Sequence, residues 1–322
     1  MAEYVMLNSA VTDSTSLFYG RAGMSICLFQ AARFLGDEFI EDYAFDLLMQ
    51  SLLNEKKDIR FGTGLSGIGF VLKYTIDHKF VDADFGEIFH KQHEMIVNEF
   101  LSCNFNSKNL TEIMSLWQIM LYFRNIRDSR VFLKAKELNG VCVSRFLKIW
   151  GNIRESSSVM DKEQIINNWR IYLKVLSAVG DISNYEHIRE YVHLVKKGFL
   201  KGDARSICYI SSIIQKTSEK KLRNDVDSLV RGEQVLVYST TDCLNAKCLY
   251  QDPYFTQSII KKRICEAFLS KKVQEIEESL NSQVGLYSIS SVFSFGVSGI
   301  MLGLMGIDNK SPKEITEILS LL

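Results

Sequence analysis

A weak internal repeat constrains the fold of this chain more than any other feature of its sequence. Each copy of the repeat has two glycines three residues apart, followed by a dense apolar stretch. Because self-similar segments at regular intervals are typical of stacked structural units, the repeat predicts an array of such units. Three copies are visible, and their glycine pairs are Gly20 with Gly23, Gly64 with Gly67, and Gly296 with Gly299.

The residues after the glycines have the period of an α-helix. Between Met24 and Leu35 only Ser25, Gln30 and Arg33 are polar, which is typical of a buried helix. A second helix is predicted after it, because apolar residues at steps of three and four alternate there with acidic ones. The second copy repeats this order, and the apolar stripe predicted for its second helix consists of Phe85, Ile88, Phe89, Ile96 and Phe100. A buried helix followed by a half-exposed helix is the unit of a two-layer helical array.

The spacing of the copies predicts the number of helices. The first two glycine pairs are 44 residues apart, and the 232 residues from Gly64 to Gly296 accommodate five intervals of about 46 residues. Four further units fit there, which gives about seven inner and seven outer helices in a single domain, residues 1–322. The middle inner helices are predicted to start near Thr111, Asn167, Asp203 and within residues 241–246, with outer helices over residues 185–196 and 221–230.

Two physical roles can explain glycine at these positions. Glycine permits a positive φ in a tight turn, and it permits a close backbone approach at a crowded centre. The alternative is an anion cradle, because glycine-rich turns before helices can bind phosphate groups. No predicted strand precedes these glycines and no Lys-Ser/Thr follows them. The sequence therefore supports neither a P-loop nor a dinucleotide-binding fold.

The composition agrees with a large helical fold. Hydrophobic residues make up 47% of the chain and aromatic residues 11%, which excludes a mainly disordered protein. Only two prolines occur, Pro253 and Pro312, and their scarcity favours long uninterrupted helices. The 38 basic and 38 acidic residues cancel, and this balance argues against a dedicated nucleic-acid-binding protein.

The cysteines and the first residues bear on the location of the protein. The odd number of seven cysteines, without a compact spacing pattern, indicates reduced thiols in a cytosolic protein. The first residues lack the basic start and the long apolar core of a signal peptide. No run approaches the ~20 apolar residues that span a bilayer. We therefore expect a cytoplasmic protein without a membrane segment.

These repeats resemble those of the lanthionine synthetase C-like family. The resemblance lies in LFYGRAGMSICLFQAARFLGDEFIEDYAFDLL, in FGTGLSGIGFVLKYTIDHKFVDADFGEIF and in the closing SVFSFGVSGIMLGLMGIDNKSP. About 70 residues near the N-terminus and 30 at the C-terminus carry it, whereas the middle of the chain is similar only in period and helicity. The resemblance implies an α/α toroid, a double ring of seven inner and seven outer helices.

The resemblance also implies a chemistry, but the motifs that carry this chemistry are missing. Cyclases of the family bind one zinc ion through two cysteines and a histidine, which lie on loops leading into late inner helices. The metal activates a substrate thiolate that adds to a dehydroamino acid. Their Trp-Cys-x-Gly and Cys-His-Gly motifs are absent from this sequence. Cys208, Cys243 and Cys248 are the nearest candidates for a relocated site, since three thiolates and a water can coordinate zinc. The competing interpretation is that these three cysteines are buried and pack as small hydrophobic residues.

The histidines are weaker candidates for a site. His90 and His93 are three residues apart on a predicted outer helix, but charged neighbours mark that face as solvated. His187 and His193 flank another predicted outer helix on poorly matched faces.

The remaining polar and aromatic candidates have structural explanations. Asp203 and Asp242 could face each other as the carboxylates of a glycosidase, but N-capping explains them equally well. Trp117, Trp150 and Trp169 are predicted to be core residues.

Two functions from different classes remain. The first is a zinc-free member of the family that binds a peptide, or a peptide-modifying enzyme, in a bacterial peptide-modification system. The second is a zinc-dependent lanthionine cyclase with relocated cysteine ligands. We prefer the first, because the second requires several ligands to have been replaced. The first predicts no cofactor, no nucleic-acid partner and no membrane partner.

Overall fold

α-Helices make up nearly all the regular structure that the computed structural model describes. The described residues are 1–53, 57–155, 162–180, 185–215, 220–231, 235–236, 301–302 and 305. None of the helices in this part combines the length and apolarity needed to cross a membrane. The helical prediction is confirmed for these residues. The helices are α1 (Ala2–Ala10), α2 (Arg21–Leu35), α3 (Glu38–Leu52), α4 (Leu65–Asp77), α5 (Phe85–Ser102), α6 (Leu110–Trp117), α7 (Ile119–Ile126), α8 (Phe132–Glu155), α9 (Lys162–Val179), α10 (Glu186–Lys196), α11 (Ala204–Gln215) and α12 (Lys220–Arg231).

Three short elements complete this part of the chain. A 3₁₀ turn covers Ser129–Val131 and leads directly into α8. Two strands of two residues each, β1 (Gly202–Asp203) and β2 (Val235–Leu236), pair in parallel. Because β1 immediately precedes α11, this pairing fixes the chain where it enters that helix.

The helices of the described residues pack in two rows. In the inner row α2, α4, α7, α9 and α11 contact one another in chain order, and α6 packs beside α7 and α9. In the outer row α3 covers α2, α5 covers α4, α8 covers α6 and α12 covers α11. α10 contacts α8 and α12, and its Tyr191 ring packs on Trp169 of α9. These residues supply five predicted helix pairs, and residues 241–246 and the pair Gly296/Gly299 lie outside them.

Burial follows the predicted faces of the first two units. In α2 every residue from Ala22 to Ala32 is buried, as its nearly all-apolar sequence predicts. Ile88, which the sequence pattern places on the buried stripe of α5, is instead 43% exposed, because it lies one position before buried Phe89 and so points about 100° away from it. The outer helices bury one stripe each, namely Ile40, Ala44, Leu47, Leu48 and Ser51 in α3, and Phe89, Ile96, Val97 and Phe100 in α5.

The first two glycine turns have the same hydrogen bonding, displaced by 44 residues. The N–H of Arg21 donates to the carbonyl of Ser14 at 2.9 Å. The N–H of Leu65 donates to the carbonyl of Asp58 at 2.7 Å. Each bond joins the first residue of an inner helix to the residue seven positions earlier. The repeat seen in the sequence is therefore a repeat of backbone structure.

Close approach, and not a positive φ, explains the glycines of these turns. Gly20 and Gly64 are the N-cap residues of α2 and α4, and both have extended backbones, with φ of −144° and −128°. The expectation of a positive φ is wrong at these two positions. A Cβ on Gly20 would lie 2.3 Å from the carbonyl oxygen of Ser14, and one on Gly64 would lie 2.1 Å from that of Asp58. The backbone folds back on the helix start so closely that a side chain has no room.

Equivalent residues of the two turns also bond to each other. The N–H of Phe18 donates to the carbonyl of Gly62 at 2.9 Å, and these two residues are themselves 44 apart. The Phe18 ring lies against the Cα of Gly62, where a Cβ would approach it to 2.5 Å. Successive units are thus joined at the N-terminal ends of their inner helices.

The third inner element is divided where the sequence predicts one helix from Thr111. α6 ends at Trp117 and α7 begins at Ile119, with Gln118 between them. The N–H of Gln118 still donates to the carbonyl of Met114 at 3.1 Å, but the N–H of Leu121 donates to the carbonyl of Gln118 at 3.0 Å. The second bond spans three residues, so a single 3₁₀ step separates the two helices.

An aromatic cluster fills the space between α8, α9 and α10. Trp150 and Trp169 are fully buried, with ring centroids 5.2 Å apart. Trp117 is 3% exposed and its Nε1 donates to the carbonyl of Tyr172 at 3.2 Å. The prediction that all three tryptophans are core residues is confirmed. Edge-to-face and offset contacts of this kind add to the stabilisation from burial alone.

Candidate functional site

A cleft of about 620 Å³ lies where α9 begins and where the chain enters α11. Its lining comes from the first half of α9 and from the loop between α10 and α11. Because α9 and α11 are neighbours in the inner row, the cleft lies at the N-terminal ends of two successive inner helices. The lining residues are Lys162, Glu163, Ile166, Asn167 and Arg170 of α9, and residues 198–201 with Asp203 of the loop.

A buried ion pair forms one wall of the cleft. The Nε of Arg170 donates to Oδ1 of Asp203 at 2.9 Å, with the Asp203 side chain only 3% exposed. Asn167 accepts a second hydrogen bond from Arg170 at 3.0 Å. Oδ1 of Asp203 also accepts the N–H of Ser206 at 3.0 Å, which makes Asp203 the N-cap of α11. The capping interpretation of Asp203 is confirmed.

Tyr191 connects this ion pair to the aromatic cluster. Its hydroxyl lies 3.4 Å from Oδ2 of Asp203, at the long limit of a hydrogen bond. Burial raises the pKa of Tyr191 well above its ordinary value, so the phenol stays protonated and donates to the carboxylate. The wall of the cleft is therefore fixed from both α9 and α10.

The rim of the cleft has free positive charge beside an exposed ring. Lys162, Lys201 and Glu163 are exposed, and neither lysine has an ion pair with another described residue. Asp203 is bonded to Arg170, and Glu163 is the one other carboxylate among the described residues that line the cleft. Phe199 at the same rim is 48% exposed. Cationic groups next to an apolar surface suit a peptide that carries an acidic group beside an apolar side chain.

A buried lysine lies further along α9. Lys174 is 8% exposed, and its Nζ lies 5.6 Å from the ring centroid of Phe18 in the first glycine turn. Burial, and after it the charge of Arg205, lowers the pKa of Lys174 to about 7. Within the described residues this ammonium has no carboxylate partner, so no opposite charge there offsets its desolvation.

The histidine pair of α5 does not form a joint site. His90 is exposed, whereas the side chain of His93 is 13% exposed and points towards the start of α8. His93 bonds through Nδ1 to the hydroxyl of Tyr122 at 2.7 Å and through Nε2 to Asp128 at 3.1 Å. The expectation of a solvated face is therefore wrong for His93. The reason is tertiary, because the loop after α7 folds over this side of α5.

Arg130 extends the His93 contacts into a network of ionic hydrogen bonds. Its guanidinium donates to Asp128 at 2.6 Å and to Glu94 at 2.8 Å. The hydrogen bond from Arg130 to Asp128 lowers the pKa of Asp128 to about 2. Tyr122 at the inner end of the network is fully buried, and the network ties α5 to the α7–α8 connection.

His187 is a core residue of α10. It is fully buried, and its Nε2 lies 2.9 Å from the hydroxyl of Tyr172. Burial lowers the pKa of His187 to about 4, so the ring is neutral at pH 7. His193, the other histidine of this helix, is exposed. The structure does not bring these two residues together.

The proposed zinc ligands are not tested by the described residues. Cys243 and Cys248 lie outside them, as does Asp242, and for Cys208 only its position in α11 is described. Among the described side chains no group of three histidine, cysteine, aspartate or glutamate residues could hold a metal ion. The relocated zinc site stays a prediction. Cys27, Cys103 and Cys142 are described cysteines that form no disulfide.

Sequence reasoning missed the two most unusual charges of α9. Lys174 could have been found, because it stands in the apolar run LKVL of a predicted inner helix. Arg170 gave no such signal, since its partner Asp203 is 33 residues away and is identified by tertiary contact alone. The cleft itself depends on how the α10–α11 loop lies against α9, which no local pattern encodes.

Comparison of the sequence with models of protein families and with curated proteins gives no match. The described residues define an all-helical class of protein, with two rows of helices and repeated glycine turns. They also place a charged cleft at the N-terminal ends of two inner helices. The glycine turns and the charged cleft are therefore the features of this chain that bear on its function.

Proposed function

We propose that this protein is a lanthionine synthetase C-like α/α toroid that binds a peptide in the cleft between α9 and α11. The peptide is either a precursor under modification or a segment of a modifying enzyme. In this proposal the protein holds no zinc and does not itself form thioethers. The observation that supports the site is the position of the cleft on the loop into a late inner helix, where the resemblance places the chemistry of the family.

The contact between Lys174 and Phe18 supports a strongly curved inner row. Three steps along the row, from α2 through α4 and α7 to α9, would separate α2 and α9 by about 27 Å if the row were straight, at about 9 Å per helix pair. The Nζ of Lys174 lies 5.6 Å from the Phe18 ring, and a lysine side chain is far shorter than that separation. A row that bends back on itself, as the helices of a toroid do, accounts for this contact.

The size and charge of the cleft support a peptide as the ligand. Its volume of about 620 Å³ falls within the range of roughly 300–1,000 Å³ that is typical of ligand sites. Exposed Phe199 offers apolar contact, while Lys162 and Lys201 offer charge. Because the Arg170–Asp203 pair fixes the wall, the cleft needs little reorganisation on binding, which limits the entropic cost of association.

Selection from a random peptide library tests this proposal. A phage-displayed library of dodecapeptides is selected on the wild-type protein, and enriched peptides are then measured by fluorescence anisotropy. The cleft variant is Phe199→Ser/Lys201→Glu, which alters two exposed rim residues. The matched control is Ile88→Ser/Lys91→Glu, the same changes at exposed positions of α5.

The proposal expects enriched peptides that bind the wild type with micromolar affinity. Binding should weaken by about tenfold or more in the cleft variant and stay unchanged in the α5 control. Equal binding of these peptides to wild type and cleft variant would contradict the assignment of the site. Failure to enrich any peptide would contradict peptide binding itself.

A further inference from the structure

Helix α3 has apolar side chains on both of its faces. One face packs on α2 through its buried stripe. The opposite face exposes Phe39 and Met49, and the C-cap residue Leu53 continues it, with exposed fractions of 71%, 43% and 78%. These residues share that face with Asp42 and Asp46, because positions 39, 42, 46, 49 and 53 recur at steps of three and four. The five residues are called the α3 outer face from here on.

Exposed apolar side chains concentrate around the α3 outer face. Of the 15 large hydrophobic residues that are exposed in the described part of the chain, six lie within residues 34–53. Phe45 flanks the α3 outer face on one side, and Phe34 and Leu35 are exposed at the end of the preceding helix, α2. Isolated exposed apolar residues are ordinary, but contiguous ones mark interaction surfaces. The outer helix α5 has a weaker set, since its Ile88 and Met95 are 43% and 36% exposed.

The charged residues of segment 34–53 all have the same sign. Residues 34–53 contain five acidic residues and no lysine, arginine or histidine. Asp42 and Asp46 are exposed between the apolar positions of the face. A ligand that covers Phe39, Met49 and Leu53 must therefore place cationic groups opposite the two aspartates, or it leaves them uncompensated.

We propose that the α3 outer face binds an amphipathic helix of a partner protein, in which lysine or arginine residues stand beside the apolar ones. A helix presents anchors at steps of three and four and so matches the spacing of this face. Its cations lie against Asp42 and Asp46 while its apolar residues cover Phe39 and Met49. The proposal is independent of the peptide cleft, which involves other helices.

The same charges disfavour two other occupants. A second copy of this chain, packed through the same face, brings Asp42 and Asp46 against identical aspartates, and like charges in contact oppose association. An anionic membrane surface is repelled by the acidic residues of this segment. A basic partner helix satisfies both the apolar and the charged parts of the face.

Binding of a designed peptide tests the proposal. The probe is a fluorescent amphipathic helix of leucine and lysine, about four turns long, and its control is the same peptide with glutamate in place of lysine. Anisotropy is measured on the full chain for the wild type, for Phe39→Ser/Met49→Ser and for Asp42→Asn/Asp46→Asn. Ile88→Ser/Met95→Ser on α5 is the matched surface control, and circular dichroism verifies that each variant is folded.

The proposal predicts that the lysine peptide binds the wild type and the α5 control alike. Binding weakens by about tenfold or more in both α3 variants, and added salt weakens wild-type binding more than that of the aspartate variant. The proposal is overturned if the lysine peptide binds the wild type and the α3 variants equally, or if the glutamate peptide binds the wild type as tightly as the lysine peptide does. Two further results would overturn the proposal, because each would show that a different ligand covers the α3 outer face. One is a wild-type dimer that dissociates in Phe39→Ser/Met49→Ser, and the other is adsorption of the wild type to phosphatidylserine vesicles that is lost in this variant.

Discussion

Replacement of Gly64 by alanine should damage the fold, although the backbone of Gly64 suits any residue. Its φ is −128°, so alanine adds no torsional strain. A Cβ, however, would lie 2.1 Å from the carbonyl oxygen of Asp58, and real Cβ contacts essentially never fall below 3.0 Å. The two groups must separate by about 0.9 Å. That carbonyl accepts the N–H of Leu65 at 2.7 Å, so the displacement strains the bond that closes the turn.

The expected loss of stability is the sum of the cost of overpacking and the cost of the weakened hydrogen bond. Overpacking of a tight site typically costs about 1–3 kcal/mol, and weakening of a buried backbone hydrogen bond adds about 1 kcal/mol. Gly64→Ala should therefore lower the free energy of unfolding by about 2–4 kcal/mol. Gly20→Ala should behave in the same way, because the equivalent Cβ would lie 2.3 Å from the carbonyl oxygen of Ser14.

Gly140 supplies the matched control for this experiment. It lies in α8, and a Cβ there would meet nothing within 4 Å. Gly140→Ala should raise the free energy of unfolding by about 0.5–1 kcal/mol, since alanine is the better helix former. Urea unfolding followed by circular dichroism at 222 nm measures all three variants. A Gly64→Ala protein as stable as the wild type would refute the explanation of the repeat by close backbone approach.

Three further predictions follow from the buried charges. Asp203→Ala should cost about 2–4 kcal/mol in urea unfolding, because it removes the N-cap of α11 and leaves Arg170 without its carboxylate; a cost below about 0.5 kcal/mol would contradict this. His187 has a folded-state pKa of about 4, below its ordinary 6.5, so the unfolded chain binds the proton first as the pH falls. The contribution of His187 to the free energy of unfolding is therefore constant above about pH 6.5 and declines by about 3 kcal/mol towards pH 4. In unfolding curves measured over this pH range, His187→Gln should remove that decline. Lys174 has a folded-state pKa of about 7, below its ordinary 10.5, so its protonation favours the unfolded chain as the pH falls from 10.5 to 7. Lys174→Met should therefore raise the free energy of unfolding at pH 7 by about 4 kcal/mol and have less effect near pH 10; a loss of stability at pH 7 would show that the ammonium has an acidic partner.

Local features of the fold could be predicted because they depend on periodicity and spacing. The apolar run from Met24 onward requires a buried helix, and the stripe of α3 requires one packed face, so both predictions are confirmed. The glycine pairs predicted a repeated turn, and the structure has the same hydrogen bond at Arg21 and at Leu65. The positive φ was not needed, because close approach alone excludes a side chain at Gly64.

Features that depend on tertiary contact could not be predicted in the same way. The environment of His93 is set by the loop that carries Asp128, 35 residues later in the chain. The wall of the cleft needs Arg170 and Asp203 together, and neither residue is unusual in its own segment of the sequence. The period of the apolar residues also does not explain the second apolar face of α3. It predicts the stripe that packs on α2, but it gives no information on a partner for the opposite face.

Zinc content tests the central functional claim most directly. Elemental mass spectrometry of untagged protein, purified without chelator, gives the number of zinc ions per chain. The account of a zinc-free peptide-binding toroid predicts a value near zero, unchanged in Cys208→Ala/Cys243→Ala. About one zinc per chain, lost in that double variant, would contradict it and would support the cyclase with relocated cysteine ligands.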